Sequence, residues 1–236
     1  MTDLNLAAYA RMGIANPVSE GAIQALLDQT DLAPGDRAAE LGCGNAEVAR
    51  VLARRGLRVL AVDRGEAMAA LARERVAEAG LTDAIEVVAG EAGTVARHEG
   101  PFRLIAALGT TQLGDFAVLR RAIEPGGWLL WGDIFWHQTP AVAVPGLDYD
   151  TDAGWRRRGA QAGLRLVETR VSPDAEWADY VAALTGAAQA WAAQHPDHPE
   201  RAQIQARAAT LAALYGPASR ATLGFALYLF HKPNSD

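Results

Sequence analysis

The sequence predicts an α/β fold: a doubly wound, mostly parallel seven-stranded sheet, with helices on both faces and a helical insertion between the last two strands. Three observations carry this. From about residue 17 to residue 137, strand-like and helix-like segments alternate, an order that makes successive strands parallel with right-handed crossovers. The strand-like segments are continuous apolar runs rather than alternations, as expected of strands covered on both faces. The first of them runs into a glycine-rich loop that opens a helix.

Each element has its local reason. Val18 to Gln29 carries Ile23, Leu26 and Leu27 at helical spacing, with Ser19 as N-cap. Arg37 to Leu41 is a short strand ending in glycines. Asn45 to Arg55 is a helix, with Val48, Val51 and Leu52 inward and Gly56 as its stop. Leu57 to Val62 is a strand ending at Asp63, and Glu66 to Ala79 a helix closed by Gly80. Ile85 to Ala89 and Arg103 to Leu108 are strands. Phe116 to Ile123 is a helix stopped by Pro125-Gly126-Gly127, and Trp128 to Asp133 is the fifth strand. A helix over Ala153 to Ala162 and a strand over Leu164 to Val171 follow. Two alanine-rich helices come next, the first with Ser172 as cap, Pro173 at its first position and a stripe of Trp177, Tyr180, Val181, Leu184, Ala188 and Trp191. The second spans Glu200 to Tyr215, and Ala221 to Phe230 is a final buried strand. The chain therefore reads as a single domain over 1–236, with residues 173–216 inserted as a cap on the site.

Composition narrows the function. The chain has 236 residues, with 22 Lys and Arg against 28 Asp and Glu, a net charge of −6 that opposes a nucleic-acid partner. Cys43 is the only cysteine, so an internal disulfide and a multi-cysteine metal site are excluded. Lys232 is the only lysine and lies near the C-terminus, so neither Schiff-base chemistry nor a phosphate-loop lysine has a residue to use. His195 and His198 sit in a proline-rich turn without a third ligand, and no metal site is expected. No apolar run is long enough to span a membrane, and the opening Met1-Thr2-Asp3-Leu4-Asn5 lacks the basic start of a signal peptide. The expectation is a soluble, cytoplasmic protein with a small-molecule substrate and no nucleic-acid or membrane partner.

The segment Glu40-Leu41-Gly42-Cys43-Gly44-Asn45-Ala46 carries the chemistry. Gly42 and Gly44 allow a tight turn and close approach of a ligand. Asp63 ends the next strand, where an acid can take both hydroxyls of a ribose. Two cofactor classes use such a loop. A nicotinamide dinucleotide asks for a third glycine where this chain has Glu47, and its pyrophosphate is repelled by Glu40. S-adenosyl-L-methionine has an α-ammonium for Glu40, a ribose for Asp63 and no phosphate. Cys43 reads as a small filler of the loop rather than a reactive thiol.

At these residues the chain resembles the class I S-adenosylmethionine-dependent methyltransferases of Rossmann-like fold, in particular those acting on small molecules. Glu40, Gly42 and Gly44 match the family's first motif, with Ala46 for its third glycine, and Asp63 matches its ribose acid. The resemblance implies cofactor contacts at Arg64 and Met68, at Glu91 and Ala92 of Gly90-Glu91-Ala92, and at Leu108. Arg103 stands where the family's fourth strand often begins with an acid. Glu124-Pro125-Gly126-Gly127-Trp128-Leu129 resembles the turn before its fifth strand.

The acceptor is expected outside the carboxyl ends of the strands. Thr110, Trp136 and His137 are the candidate substrate residues there, and His137 and Asp133 the candidate bases. Trp177 and Trp191 read as core, with Trp136 the tryptophan left for a pocket. A nicotinamide-dependent oxidoreductase and a non-catalytic S-adenosylmethionine-binding module are the alternatives.

Overall fold

The computed structural model describes residues 4–141 and 147–234; the first three residues of the opening read above for a leader lie outside it. Its sheet is built from β1 (Arg37–Leu41), β2 (Arg58–Asp63), β3 (Ile85–Ala89), β4 (Phe102–Leu108), β5 (Ile123–Trp136), β6 (Arg165–Val171) and β7 (Leu223–His231). These form one seven-stranded sheet in the order β3-β2-β1-β4-β5-β7-β6. The first five strands pair in parallel, and β7 runs antiparallel between β5 and β6.

Apolar side chains on both faces explain why the strands read as runs. One face is covered by α2 (Glu20–Leu27), α3 (Glu47–Arg54) and α4 (Glu66–Glu78), which bury Ile23, Leu27, Val48, Leu52 and Val76. The other is covered by α5 (Ala92–Glu99), α6 (Phe116–Arg121) and α7 (Asp152–Gln161). There Phe116 meets Trp131 edge-on with ring centroids 4.9 Å apart, and the buried Trp155 indole donates to the Ile134 carbonyl at 3.0 Å. The inserted helices α8 (Asp174–Gln194) and α9 (Arg201–Tyr215) lie between β6 and β7 in sequence and pack on each other. A helix the sequence reading lacks, α1 (Leu4–Tyr9), packs on α8.

Two expectations are corrected. The Pro125-Gly126-Gly127 turn does not separate a helix from the fifth strand: Ile123 already pairs with Phe102, the intervening residues bulge, and pairing resumes at Trp128 with Leu104. At its other end β5 runs three residues past Asp133 to Trp136, because β7 pairs with it all the way to Leu223. Ser172 is not the cap of α8; its backbone N–H is held by the Phe225 carbonyl, so the chain stays extended and Pro173 becomes the N-cap.

Candidate functional site

The strand order turns between β1 and β4, and a crevice forms beyond the carboxyl ends of the strands at such a switch point. A cavity of about 400 Å³ lies there. The glycine loop forms its floor. The Gly42 and Cys43 N–H groups both donate to the Val62 carbonyl, at 2.8 and 2.9 Å, anchoring the loop to the end of β2. Gly42 has φ +78°, and a Cβ there would lie 2.2 Å from the Thr110 methyl, so only glycine lets β1 and β4 close at this point. The loop enters α3 through Ala46 at φ +58°, a left-handed conformation in the position of the family's third glycine.

Glu40 is buried beneath the loop, where one carboxylate oxygen accepts from the Ala49 N–H at 2.7 Å. Burial pushes its pKa well above the usual carboxylate range, and the nearby Glu47 and Asp63 charges push it further. A cationic ligand group would supply the counter-charge that lets Glu40 ionise, whereas a pyrophosphate would add like charge beside Glu47 and Asp63. Asp63 at the end of β2 accepts from the Gly44 N–H at 3.1 Å and the Gly65 N–H at 2.9 Å, so it fixes the loop while lining the cavity. Arg64, Met68, Ala92 and Leu108 line the same cavity. Glu91 lines it too, but its carboxylate caps α5, accepting from Gly93 and Thr94 N–H groups at 3.2 and 2.7 Å. The Thr94 hydroxyl and those backbone bonds lower its pKa. Cys43 is buried in the cavity wall and its thiol is pushed far above the ordinary range by desolvation, which keeps it protonated as a filler.

All nine residues read as cofactor contacts therefore meet in one cavity. So does a segment the sequence reading left out: Leu6, Tyr9, Ile14, Ala15 and Asn16 form its N-terminal wall. The buried Asn45 amide holds that wall, lying 3.0, 3.2 and 2.8 Å from the carbonyls of Tyr9, Met12 and Gly13. Arg75 of α4 donates to the Tyr9 and Ala10 carbonyls, each at 3.1 Å. The only signal in the sequence was Asn45 itself, a polar residue inside the loop motif whose partners lie about thirty residues upstream.

A second cavity of about 250 Å³ adjoins the first and shares Tyr9, Ala15, Asn16 and Gly109 as walls. Gly109, at φ +65°, lets Asn16 pass close by; a Cβ there would meet the Asn16 side-chain oxygen at 2.5 Å. Asp133, Thr111 and Tyr149 line the sheet side, and Trp177, Tyr180, Arg207 and Tyr215 come from the inserted helices. Asp133 is 1% exposed; Oδ1 accepts from the Ile134 N–H at 2.8 Å and the Thr111 hydroxyl at 3.2 Å, and Oδ2 has no hydrogen-bond partner. Desolvation raises its pKa to about 7, against the lowering effect of those bonds and of the Arg158 charge.

The other residues expected around the substrate lie elsewhere. Thr110 is in the cofactor cavity, pressed against Gly42, and its neighbour Thr111 reaches the second cavity. Trp136 is part of β5 and packs in the core beside Tyr149, with ring centroids 6.1 Å apart. His137 is exposed, its ring edge-on to Phe135 at 5.1 Å. Neither lines either cavity, because the longer β5 carries them past the site. Trp177 and Trp191 are core as expected, and Trp177 also walls the second cavity, which Trp136 does not. Among the described residues no cluster of three or more potential metal ligands occurs, and no helix is long and apolar enough to cross a membrane.

A family model for a methyltransferase domain matches residues 38–127, from the start of β1 to the bulge in β5. A protein-L-isoaspartate O-methyltransferase of Methylorubrum extorquens is 37% identical over 101 residues, 42% of this chain and 44% of the relative, so the chain spans less than half of that protein's length. The uncharacterized protein YjhP of Escherichia coli is 26% identical over 207 residues, covering 82% of this chain and 83% of its own. Among solved structures, a SAM-dependent methyltransferase from Geobacter sulfurreducens in complex with S-adenosyl-L-homocysteine has a TM-score of 0.82 at 22% identity, over 98% of each chain. The family model thus covers the loop, the paired acids and strands β1 to β4 as a methyltransferase domain, and the solved neighbour with bound S-adenosyl-L-homocysteine shares the Rossmann-like seven-stranded fold.

Proposed function

We propose that the protein transfers a methyl group from S-adenosyl-L-methionine to a small-molecule acceptor. The observation that carries the reading is the pair of adjoining cavities at the carboxyl ends of the strands, one walled by the glycine loop and its acids, the other by Asp133 and the inserted helices. When bound, the cofactor supplies a methyl group already activated on a sulfonium. The protein's own work is then positioning and exclusion of water. Glu40 faces the α-ammonium, Asp63 takes the ribose hydroxyls, and Arg64, Met68, Glu91, Ala92 and Leu108 enclose the adenosine. Thr110 fixes the floor by its contact with Gly42.

Residues 173–216 act as a cap on the acceptor side, and the whole chain works as one domain. Tyr149, Trp177, Tyr180 and Tyr215 shape the acceptor cavity. Asp133 replaces His137 as the base, since it lines that cavity with an unsatisfied oxygen and a pKa raised to about 7. A cavity of about 250 Å³ favours a small acceptor over a nucleic acid or a folded protein. The nicotinamide reading is not favoured, because a pyrophosphate would add like charge beside Glu47 and Asp63 and offer Glu40 no counter-charge. A binding module without chemistry needs no second cavity with a buried acid.

Calorimetry with S-adenosyl-L-methionine, S-adenosyl-L-homocysteine and NADH tests the first half. Binding of both adenosyl ligands and not of NADH is expected; the reverse pattern overturns the reading. Methyl-labelled cofactor incubated with metabolite pools tests the second half, with labelled small molecules as the expected product. Label found only in protein or nucleic acid would refute the acceptor class.

A further inference from the structure

We propose that the acceptor is a small amine that enters as an ammonium ion, held between the Asp133 carboxylate and the tyrosine faces of the second cavity. The inference rests on the methyltransferase reading above and names the chemical class of its second substrate.

The argument starts from the unsatisfied oxygen. Asp133 Oδ1 is occupied by the Ile134 N–H and the Thr111 hydroxyl, whereas Oδ2 is buried without a donor. Leaving a buried acceptor unpaired costs free energy that a donor arriving with a ligand recovers. The protein does not supply a cation of its own to that oxygen. Arg158, whose charge Asp133 feels, spends its guanidinium on Asp150 at 2.8 Å. Arg207, the other charged side chain of the wall, is exposed and already engaged within the protein. Asp133 is thus the buried charge of the cavity.

The remaining walls are aromatic. Tyr149 and Tyr215 meet hydroxyl to hydroxyl at 3.3 Å, and the Tyr180 and Tyr215 ring centroids are 6.1 Å apart. Burial holds the Tyr149 and Tyr180 phenols protonated, so these rings bring no second negative charge. Trp177 already carries the Arg220 guanidinium over its ring at 3.4 Å and serves as wall only, so the tyrosine faces are those left for a cation.

Three acceptor classes separate on this chemistry. A carboxylate acceptor would bring like charge against a carboxylate with no spare donor. An alcohol can donate to Oδ2 but offers no charge to the rings and leaves the acid to ionise alone. An ammonium ion donates to Oδ2, pairs its charge and lies against the rings. Once bound, it gives one proton to Oδ2. Its nitrogen is then neutral, with a free lone pair, and the proton leaves Asp133 for water after the product departs.

The test uses the full chain saturated with S-adenosyl-L-homocysteine and titrated near neutral pH with benzylamine, benzyl alcohol and benzoate as probes. Benzylamine is expected to bind about tenfold or more tightly than the other two. Asp133→Asn is expected to abolish the preference and Tyr180→Leu to reduce it, both with unchanged affinity for S-adenosyl-L-homocysteine. Equal affinities, a preference for benzoate, no binding of the amine, or a preference that survives Asp133→Asn would overturn the amine assignment while the methyltransferase reading stands. If Asp133→Asn does not fold, the ranking in the unaltered protein and in Tyr180→Leu decides. Failure of the unaltered protein to bind S-adenosyl-L-homocysteine would sink both.

Discussion

The two cavities share walls but are built in opposite ways. On the cofactor side the floor, made of the loop from Glu40 to Ala46, Asp63 and Met68, comes from one strand–helix–strand–helix stretch, and more distant segments only close the walls. On the acceptor side, Asn16, Gly109, Asp133, Tyr149, Trp177 and Tyr215 come from six separate parts of the chain. A site made by neighbouring residues keeps its geometry through local backbone constraints. A site made by distant ones exists only when the sheet, the N-terminal segment and the inserted helices have all docked. Ligand affinity should therefore respond to single residues on the first side, and turnover and dynamics to residues on the second.

The sharpest way to break this contrast is Asp133→Asn. Methyl transfer is expected to fall about 100- to 10,000-fold, the range for loss of a positioned base, with cofactor affinity unchanged. In the unaltered protein kcat/KM should rise with pH through about 7, because the active form is the ionised carboxylate; the variant should lose that step. A steady-state pH series compares the two. An unchanged profile would move the base elsewhere.

Asp63→Ala is the counterpart on the cofactor side. It removes the acceptor of the Gly44 and Gly65 N–H groups and the proposed partner of the ribose hydroxyls, and affinity for S-adenosyl-L-homocysteine should weaken by about 2–4 kcal/mol while the fold survives. Calorimetry reads this directly, and an affinity within about twofold of the original would remove Asp63 from the site.

Glu40→Gln sharpens the comparison by separating binding from stability. The folded pKa of Glu40 lies above its unfolded value, so between the two the native state holds more protons than the unfolded state, and stability falls as pH rises. The amide keeps an acceptor for the Ala49 N–H and removes the buried ionisable group. The variant without ligand should thus melt higher than the original near neutral pH, yet bind the cofactor less tightly. Parallel thermal melts with and without S-adenosyl-L-homocysteine check both signs.

The smallest expected effect concerns the wall shared by both cavities. Asn45→Ala leaves the Tyr9, Met12 and Gly13 carbonyls short of a donor and should cost about 1–3 kcal/mol. The loss should appear in hydrogen exchange as faster opening of residues 4–17, with the central strands unaffected. Uniform acceleration across the sheet would mean that Asn45 supports the fold rather than this wall.

Legibility followed the same division. Strand β1, the loop and Asp63 were readable because backbone demands act there on adjacent residues: a glycine at φ +78°, a helix start, an acid at a strand end. The acceptor side was half-readable. Asp133 stood out as an acid ending an apolar run, but Trp136 and His137 were placed with it because the length of β5 is set by its partner β7, remote in sequence. The Trp177 and Tyr180 stripe looked like core, and both residues do pack against it; that one side of the stripe also faces a cavity is a property of what docks opposite.

By itself, then, the sequence determined the α/β order and the loop chemistry and favoured an adenosyl sulfonium over a dinucleotide, because apolar periodicity, glycine conformation and charge are local properties. Tertiary structure alone decided that Asn45 ties the N-terminal segment over the first cavity, that Thr111 rather than Thr110 lines the second, and that Asp133 keeps one oxygen unpaired. Those facts depend on which distant groups exclude water from one another, and burial of that kind comes into being only when the chain is folded.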